Sequence, residues 1–301
     1  MSMMAHRLGM SRLAPVQAVS HGHPITSGFP RSIMDYYVSW AAAELPFDEA
    51  QSHYTEELKL IPSDSLHQYY EERTKDGRSL TDNQDYSHLV RKGRSSFSTV
   101  PADGNWYLIM QKPFKLMPEF DDFVAGVLEK DPDGRVIMHE ENSEHNRLIF
   151  VERLKRAGCD MERVHFMPVL PHHKLMALYI LSDVILDSYP AGGCTTTREV
   201  LEAGKVLVTL PSTLLGSRWT LAYLNILGDE RLKELFVAKD MDEYTTLAAN
   251  LGKNVSLRSE AERRIRKNMP KLYRSNRAVE EWTKILLEIS PVKNALHDDE
   301  L

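Results

Sequence analysis

Three consecutive threonines, Thr195, Thr196 and Thr197, follow a glycine pair, Gly192 and Gly193, with only Cys194 between. The chemistry this spacing can do is anion binding. Val184–Leu186 is an apolar run of the kind that makes an interior parallel strand, Pro190–Gly193 breaks it, and Thr195–Ala203 carries helical spacing until Gly204 can end the helix. The first amides of a helix have no intrahelical acceptor, and the helix dipole favours negative charge beside them. The threonine hydroxyls add donors, so the turn could hold a diphosphate without a metal. Glu199, one turn in, is placed to accept from a sugar hydroxyl but would repel bare phosphate, so a nucleotide fits better than inorganic phosphate. The same residues also describe an ordinary N-capped helix with a threonine-rich first turn. Neither a Walker lysine nor a G-x-G-x-x-G fingerprint accompanies the glycines.

The elements that position this turn are those of an α/β core. Val206–Leu210 closes a βαβ unit with Val184–Leu186. Further strands are expected at Trp106–Met110, Arg135–His139 and Arg163–Met167, with helices between them at Pro118–Glu129, Glu144–Ala157, His172–Leu181 and Thr196–Ala203. Helices continue at Ser217–Ile226, Asp240–Leu251, Leu257–Asn268 and Ala278–Ile289. The expected class is α/β, a Rossmann-like parallel sheet with helices on both faces. Up to about Tyr86 the signal is mixed: a short strand at Pro15–Val19, a turn at Gly22–Gly28, an apolar strand near Tyr36–Trp40, then polar sequence through Glu71–Asp85. This part is expected not to form a domain of its own kind.

Composition narrows the partners. The 301 residues are 42% hydrophobic and 27% charged with a net charge of -6 and no basic stripe, which argues against nucleic acid. Two cysteines, Cys159 and Cys194, supply neither a disulfide framework nor a metal quartet. No apolar run approaches the roughly 20 residues of a membrane span, and Met1–Met10 lacks a signal peptide's apolar core. A cytoplasmic or nuclear protein without a membrane partner is expected.

An ordered series of segments then carries a resemblance: L-A-P-V-Q-A at Leu13–Ala18, G-H-P-I-T-S-G at Gly22–Gly28, M-D-Y-Y at Met34–Tyr37, Y-T-E-E-L-K-L-I-P at Tyr54–Pro62, K-L-M-P at Lys115–Pro118, R-V-H-F-M-P-V-L at Arg163–Leu170, L-S-D-V-I-L-D at Leu181–Asp187, the threonine turn, and V-T-L-P at Val208–Pro211. The chain resembles the C-terminal part of the catalytic region of the O-linked N-acetylglucosamine transferase and SPINDLY glycosyltransferases. The resemblance implies a B-type glycosyltransferase fold, of which this chain would hold the C-terminal half plus a remnant of the N-terminal half. Residues 1–95 would be that remnant and a linker, 96–291 the nucleotide-sugar-binding Rossmann-like domain, and 292–301 a disordered tail. The family works without a divalent metal, so no cofactor is expected beyond the nucleotide-sugar donor substrate. The L-A-P-x-Q segment lies near the end of the family's first catalytic domain yet begins here almost at the N-terminus. The missing N-terminal catalytic half is therefore an expected partner, its proton-accepting histidines would lie there, and the chain alone is expected to transfer little.

Residue by residue, the resemblance makes Lys115 the catalytic lysine that meets the diphosphate as charge develops on the leaving group; a lysine before a helix can also be plain surface. Thr195 and Thr196 match paired phosphate-binding threonines, and Thr197, Gly192 and Gly193 complete the turn. Glu199 matches a ribose-binding aspartate, Leu170 a position whose backbone reads the base edge, and His172 a lysine beside the nucleoside, where it would stack or be solvated. His23, Thr26, Ser27 and Gly28 form a cleft loop, with His23 at a position that is aromatic in relatives; neither it nor His21 is assigned as a base. Leu175 and Cys194 stand where members carry histidines. Three functions compete: transfer of N-acetylglucosamine from UDP to protein Ser or Thr hydroxyls, a GDP-fucose-dependent protein O-fucosyltransferase, and an inactive fragment that binds nucleotide or protein.

Overall fold

The sequence Tyr36–Trp40 is nearly all apolar, and in the computed structural model it is the centre of a parallel sheet. The structure describes residues 7–20, 26–109, 111–141 and 143–290. His21, His23 and much of the turn at Gly22–Gly28, Met110 at the end of an expected strand, and the expected tail at 292–301 lie outside the described residues. Contacts divide the described chain into two units, one within Met1–Glu71, Thr213–Leu215 and Leu272–Leu301, the other within Glu72–Ser212 and Gly216–Lys271. The division falls upstream of the 95/96 boundary expected from sequence.

In the first unit, β1 (Ala18–Ser20), β2 (Tyr36–Trp40) and β3 (Glu57–Ile61) pair in parallel in that order. Tyr37, Trp40 and Ile61 are fully buried, as interior parallel strands require. Two indoles find acceptors: Trp40 Nε1 donates to Ser65 O at 2.7 Å, and Trp282 Nε1, on the helix Asn276–Ile289, donates to His67 O at 2.6 Å. This unit therefore joins the N-terminal sheet to a helix from near the other end of the chain. β3 was not expected, because Glu57 and Lys59 interrupt its apolar residues and only pairing with β2 makes it a strand.

The second unit opens with a hairpin, β4 (Thr74–Lys75) against β5 (Arg78–Ser79). It is followed by β6 (Asn105–Ile109), β7 (Gly134–His139), β8 (Val164–Met167), β9 (Val184–Leu186) and β10 (Leu207–Val208). Their order is β10-β9-β6-β7-β8, and every neighbouring pair is parallel. Helices Pro118–Lys130, Glu144–Arg156, His172–Leu181 and Thr195–Glu202 make the successive crossovers. The expected α/β class and these alternations hold. β10 is shorter than the expected Val206–Leu210, because Thr209 turns aside: its amide donates to Phe236 O and its carbonyl accepts from Ala238.

The chain starts in the middle of this sheet, builds outward to β8, then returns to β9 on the other side of β6. Adjacent crossovers leave β6 and β9 in opposite directions, which opens a crevice at their C-terminal ends, the usual ligand site of such sheets. Behind the sheet, Gly252 of the helix Met241–Lys253 faces Tyr107, whose hydroxyl donates to Asp131 at 2.6 Å. A Cβ on Gly252 would lie 1.9 Å from that hydroxyl. Gly252→Ala is therefore expected to lower stability by about 1–3 kcal/mol, read as a lower midpoint in denaturant unfolding. An unchanged midpoint would mean the helix can shift freely.

Candidate active site at the β6–β9 switch point

Two loops meet at the crevice. The loop after β6 supplies Gln111 and Lys115; the loop after β9 runs through Asp187, Pro190, Gly192 and Gly193 into the helix Thr195–Glu202. Lys115 Nζ donates to Gly192 O and to Gln111 Oε1, both at 3.0 Å, and Gln111 Nε2 donates to Thr196 Oγ1 at 2.6 Å. Leu116 bridges Pro190 through the backbone. One ammonium is thus held beside the glycine pair and the start of a helix whose N-cap, Cys194, offers no side-chain hydrogen bond to the first helix amides, its thiol lying instead 3.6 Å from Tyr223 OH. Burial lowers the Lys115 pKa, while attraction to Asp187 and Cys194 acts the other way.

Asp187 organises the loop from beneath. Its Oδ1 accepts from the Gly193 amide at 2.7 Å, and its Oδ2 accepts from Thr209 Oγ1 at 2.9 Å and Thr220 Oγ1 at 2.6 Å. Its own carbonyl accepts from Tyr244 OH at 2.8 Å. Burial raises the carboxyl's pKa; the hydrogen bonds from Thr220, Gly193 and Thr209 and the charge of Lys115 oppose that rise. Both glycines are close-approach residues: a Cβ on Gly192 would lie 2.9 Å from Asp187 Oδ2, and one on Gly193 would lie 2.5 Å from Thr196 Oγ1.

The threonines divide. Thr195 is exposed and Thr196 half-buried. Thr197 is buried with its hydroxyl 2.9 Å from Thr220 Oγ1. This corrects the expectation that all three threonines add hydroxyl donors to the turn: Thr197 shares the inward face of its helix with Val200 and Leu201, so its hydroxyl is spent in the core.

Glu199 is buried, with Oε1 2.9 Å from the Arg73 guanidinium and 3.2 Å from His172 Nε2. His172 Nδ1 lies 2.6 Å from Ser79 Oγ. The imidazole is therefore bridged on both nitrogens and largely buried, which corrects the solvated alternative that the sequence left open. Leu170, half-buried, sits in the loop between β8 and the helix His172–Leu181.

In the first unit, Thr26 Oγ1 donates to the buried Glu56 at 2.6 Å, and Ser27 donates to it through its amide at 2.7 Å and through its hydroxyl. Burial raises the Glu56 pKa, but the bonds from Ser27 and Thr26 outweigh it and leave the carboxyl lower than usual. Gly28 has φ 71°, a left-handed backbone that favours glycine. These side chains secure a loop around a carboxylate.

Gln111, Asp187 and Arg73 were missed as site residues. L-S-D-V-I-L-D contains Asp187 at a strand's end, where a polar residue after an apolar run is a usable signal; Gln111 and Arg73 gain meaning only through distant partners. Among the described residues, no group of three or more His, Cys, Asp or Glu could hold a metal ion. Two D-x-D spacings do occur, and both are spoken for locally: Asp131 accepts from Asn105 and Tyr107, and Asp240 caps a helix through the Glu243 amide at 2.8 Å. No helix of the described residues is long and apolar enough to cross a membrane.

The parallel sheets flanked by helices are those of a B-type glycosyltransferase fold. An O-GlcNAc transferase mutant from Thermobaculum terrenum matches with a TM-score of 0.69 at 22% identity, over 92% of this chain and 49% of that one. A glycosyltransferase from Rickettsia africae matches with a TM-score of 0.52 at 13% identity, over 85% and 63%. The chain belongs to glycosyl transferase family 41, whose pattern matches residues 71–278. A probable UDP-N-acetylglucosamine–peptide N-acetylglucosaminyltransferase SPINDLY from Eustoma exaltatum is 28% identical over 88% of this chain and 27% of its own length. The UDP-N-acetylglucosamine–peptide N-acetylglucosaminyltransferase of Caenorhabditis elegans is 30% identical over 51% and 13%. The chain spans about a quarter of the length of the SPINDLY relatives it matches.

Proposed function

We propose that this chain carries the donor-binding half of a protein O-N-acetylglucosaminyltransferase, holding UDP-N-acetylglucosamine at the C-terminal ends of β6 and β9. The observation that carries the reading is the convergence of Lys115 with the glycine pair and the uncapped start of the helix Thr195–Glu202. Family membership and the printed names of the SPINDLY and Caenorhabditis elegans relatives support the sugar and the protein acceptor. On this reading Thr195, Thr196 and the first helix amides receive the diphosphate, Glu199 receives the ribose hydroxyls, and the Leu170 backbone and His172 border the base. The acceptor Ser or Thr oxygen attacks the anomeric carbon as the bond from that carbon to the diphosphate oxygen breaks, with inversion. The acceptor's proton passes to a base that is not assigned to a residue of this chain. Lys115 stabilises the negative charge that grows on the departing diphosphate, an effect stronger in the transition state than in the ground state. Charge neutralisation by Lys115 and the helix start requires no metal.

The test is calorimetric titration of the chain with UDP and with GDP in buffer containing EDTA. UDP is expected to bind and to keep its affinity under chelation. No heat with either nucleotide would leave the threonine turn a purely structural feature. Binding of GDP alone would replace the donor, and loss of UDP binding on chelation would refute the metal-free site.

A further inference from the structure

The β4–β5 hairpin and the turn after it lie against the two helices that carry His172 and Glu199. Glu202 Oε1 accepts from the amides of Arg73 at 2.7 Å and Thr74 at 2.5 Å, and from Thr74 Oγ1 at 2.8 Å. Ser79 meets His172, and Asp82 Oδ2 accepts from the His173 amide at 3.0 Å while lying 2.7 Å from its Nδ1. Residues 73–82 are thus strapped between the start of the helix His172–Leu181 and the end of the helix Thr195–Glu202. Arg73 adds a tie of a different kind. Its guanidinium meets Glu199 on Oε1, the same oxygen that faces His172 Nε2, and among the described residues no donor meets Oε2.

Two partners on one oxygen fix the carboxylate's orientation and leave the other oxygen to accept. A free glutamate would lose rotamer freedom on gripping a ligand; one already held loses little, so its hydrogen bonds count more fully toward affinity. The guanidinium suits this task because its planar fork is rigid, whereas a lysine would supply only a point charge on a flexible stem.

We propose that Arg73 is a positioning residue for ribose recognition, acting through Glu199, so that this one contact, and not the rest of the strap at residues 73–82, determines how strongly the site distinguishes a ribonucleotide from a nucleotide lacking the ribose hydroxyls. This rests on the nucleotide-sugar reading above. Arg73 itself touches neither the sugar nor the diphosphate in this scheme; its effect is confined to the Glu199 carboxylate.

The experiment titrates the 301-residue chain, Arg73→Gln, Arg73→Lys and Thr74→Ala with UDP and with 2′,3′-dideoxy-UDP. The parent chain is expected to prefer UDP by about tenfold or more, the scale of one charge-assisted hydrogen bond. Arg73→Gln should reduce that preference to within about twofold while hardly changing affinity for the dideoxy nucleotide, and Arg73→Lys should fall between. Thr74→Ala, which loosens the hairpin from Glu202 without touching Glu199, should keep the preference. Arg73→Gln that retains the preference, or that weakens both nucleotides in equal proportion, overturns the proposal and leaves Arg73 a structural tie. A parent chain that binds both nucleotides equally also overturns it while sparing the nucleotide reading. A parent chain that binds neither removes both.

Discussion

Lys115→Ala should weaken UDP binding by roughly ten- to a hundredfold, the equivalent of about 1.5–3 kcal/mol for a hydrogen bond to a charged group. The ammonium is half-buried beside Gly192 and Gln111, so a diphosphate in the turn would meet a cation that is already oriented and partly stripped of water. The complication is that Lys115 also pins the Gly192 carbonyl, and its removal could loosen the loop. Uridine separates the two effects, since it carries the base and ribose but no diphosphate. Isothermal titration should give parent and variant similar affinities for uridine and very different ones for UDP. Equal weakening for both ligands would assign Lys115 to loop geometry, and unchanged UDP affinity would return it to an ordinary lysine before a helix. Should transfer be measured in a longer form of the protein, the turnover loss should exceed the binding loss, because charge on the diphosphate grows as the sugar departs.

The parts of this fold that could be read from the residues are those whose burial is written locally. Trp106–Ile109 and Val184–Leu186 are uninterrupted apolar runs, and interior parallel strands need nothing else to declare themselves. The glycine pair and threonines announced a turn at a helix start, and the turn is there. β3 was hidden because its register with β2, not its own alternation, makes it a strand. The inward direction of Thr197 was available in principle, since three and four residues on stand Val200 and Leu201, both buried. The pairing of Arg73 with Glu199 was not, because nothing local to either residue specifies a partner so far along the chain. The same holds for Gln111, whose bond to Thr196 depends on how two crossovers bring their loops together.

The largest loss of stability is expected for Asp187→Ala, about 3–5 kcal/mol by the measure of a broken buried charged set, together with loss of UDP binding. Asp187 is buried, and its two oxygens gather the Gly193 amide and the Thr209 and Thr220 hydroxyls. Alanine would leave all three donors facing a void, and each unsatisfied buried group costs about 1–3 kcal/mol. Asp187→Asn is a sharper probe. Its carbonyl can still accept from Gly193, and its amide can donate to the two hydroxyls, which are able to accept as well as donate. Asparagine should therefore keep stability within about 1 kcal/mol of the parent. It also removes a negative charge from beneath the proposed diphosphate site, so UDP affinity should be equal or higher. The pH dependence gives a third signature. Burial raises the carboxyl's pKa in the fold, so its contribution to stability is complete below the ordinary carboxylate value of about 3.9 and is lost as pH rises through the elevated folded value. Asparagine should flatten that slope in denaturant unfolding followed across acidic to neutral pH. If alanine and asparagine destabilise equally, the carboxylate's charge and not its three acceptor bonds would be what the loop requires, and the diphosphate site would have to be redrawn around an anion.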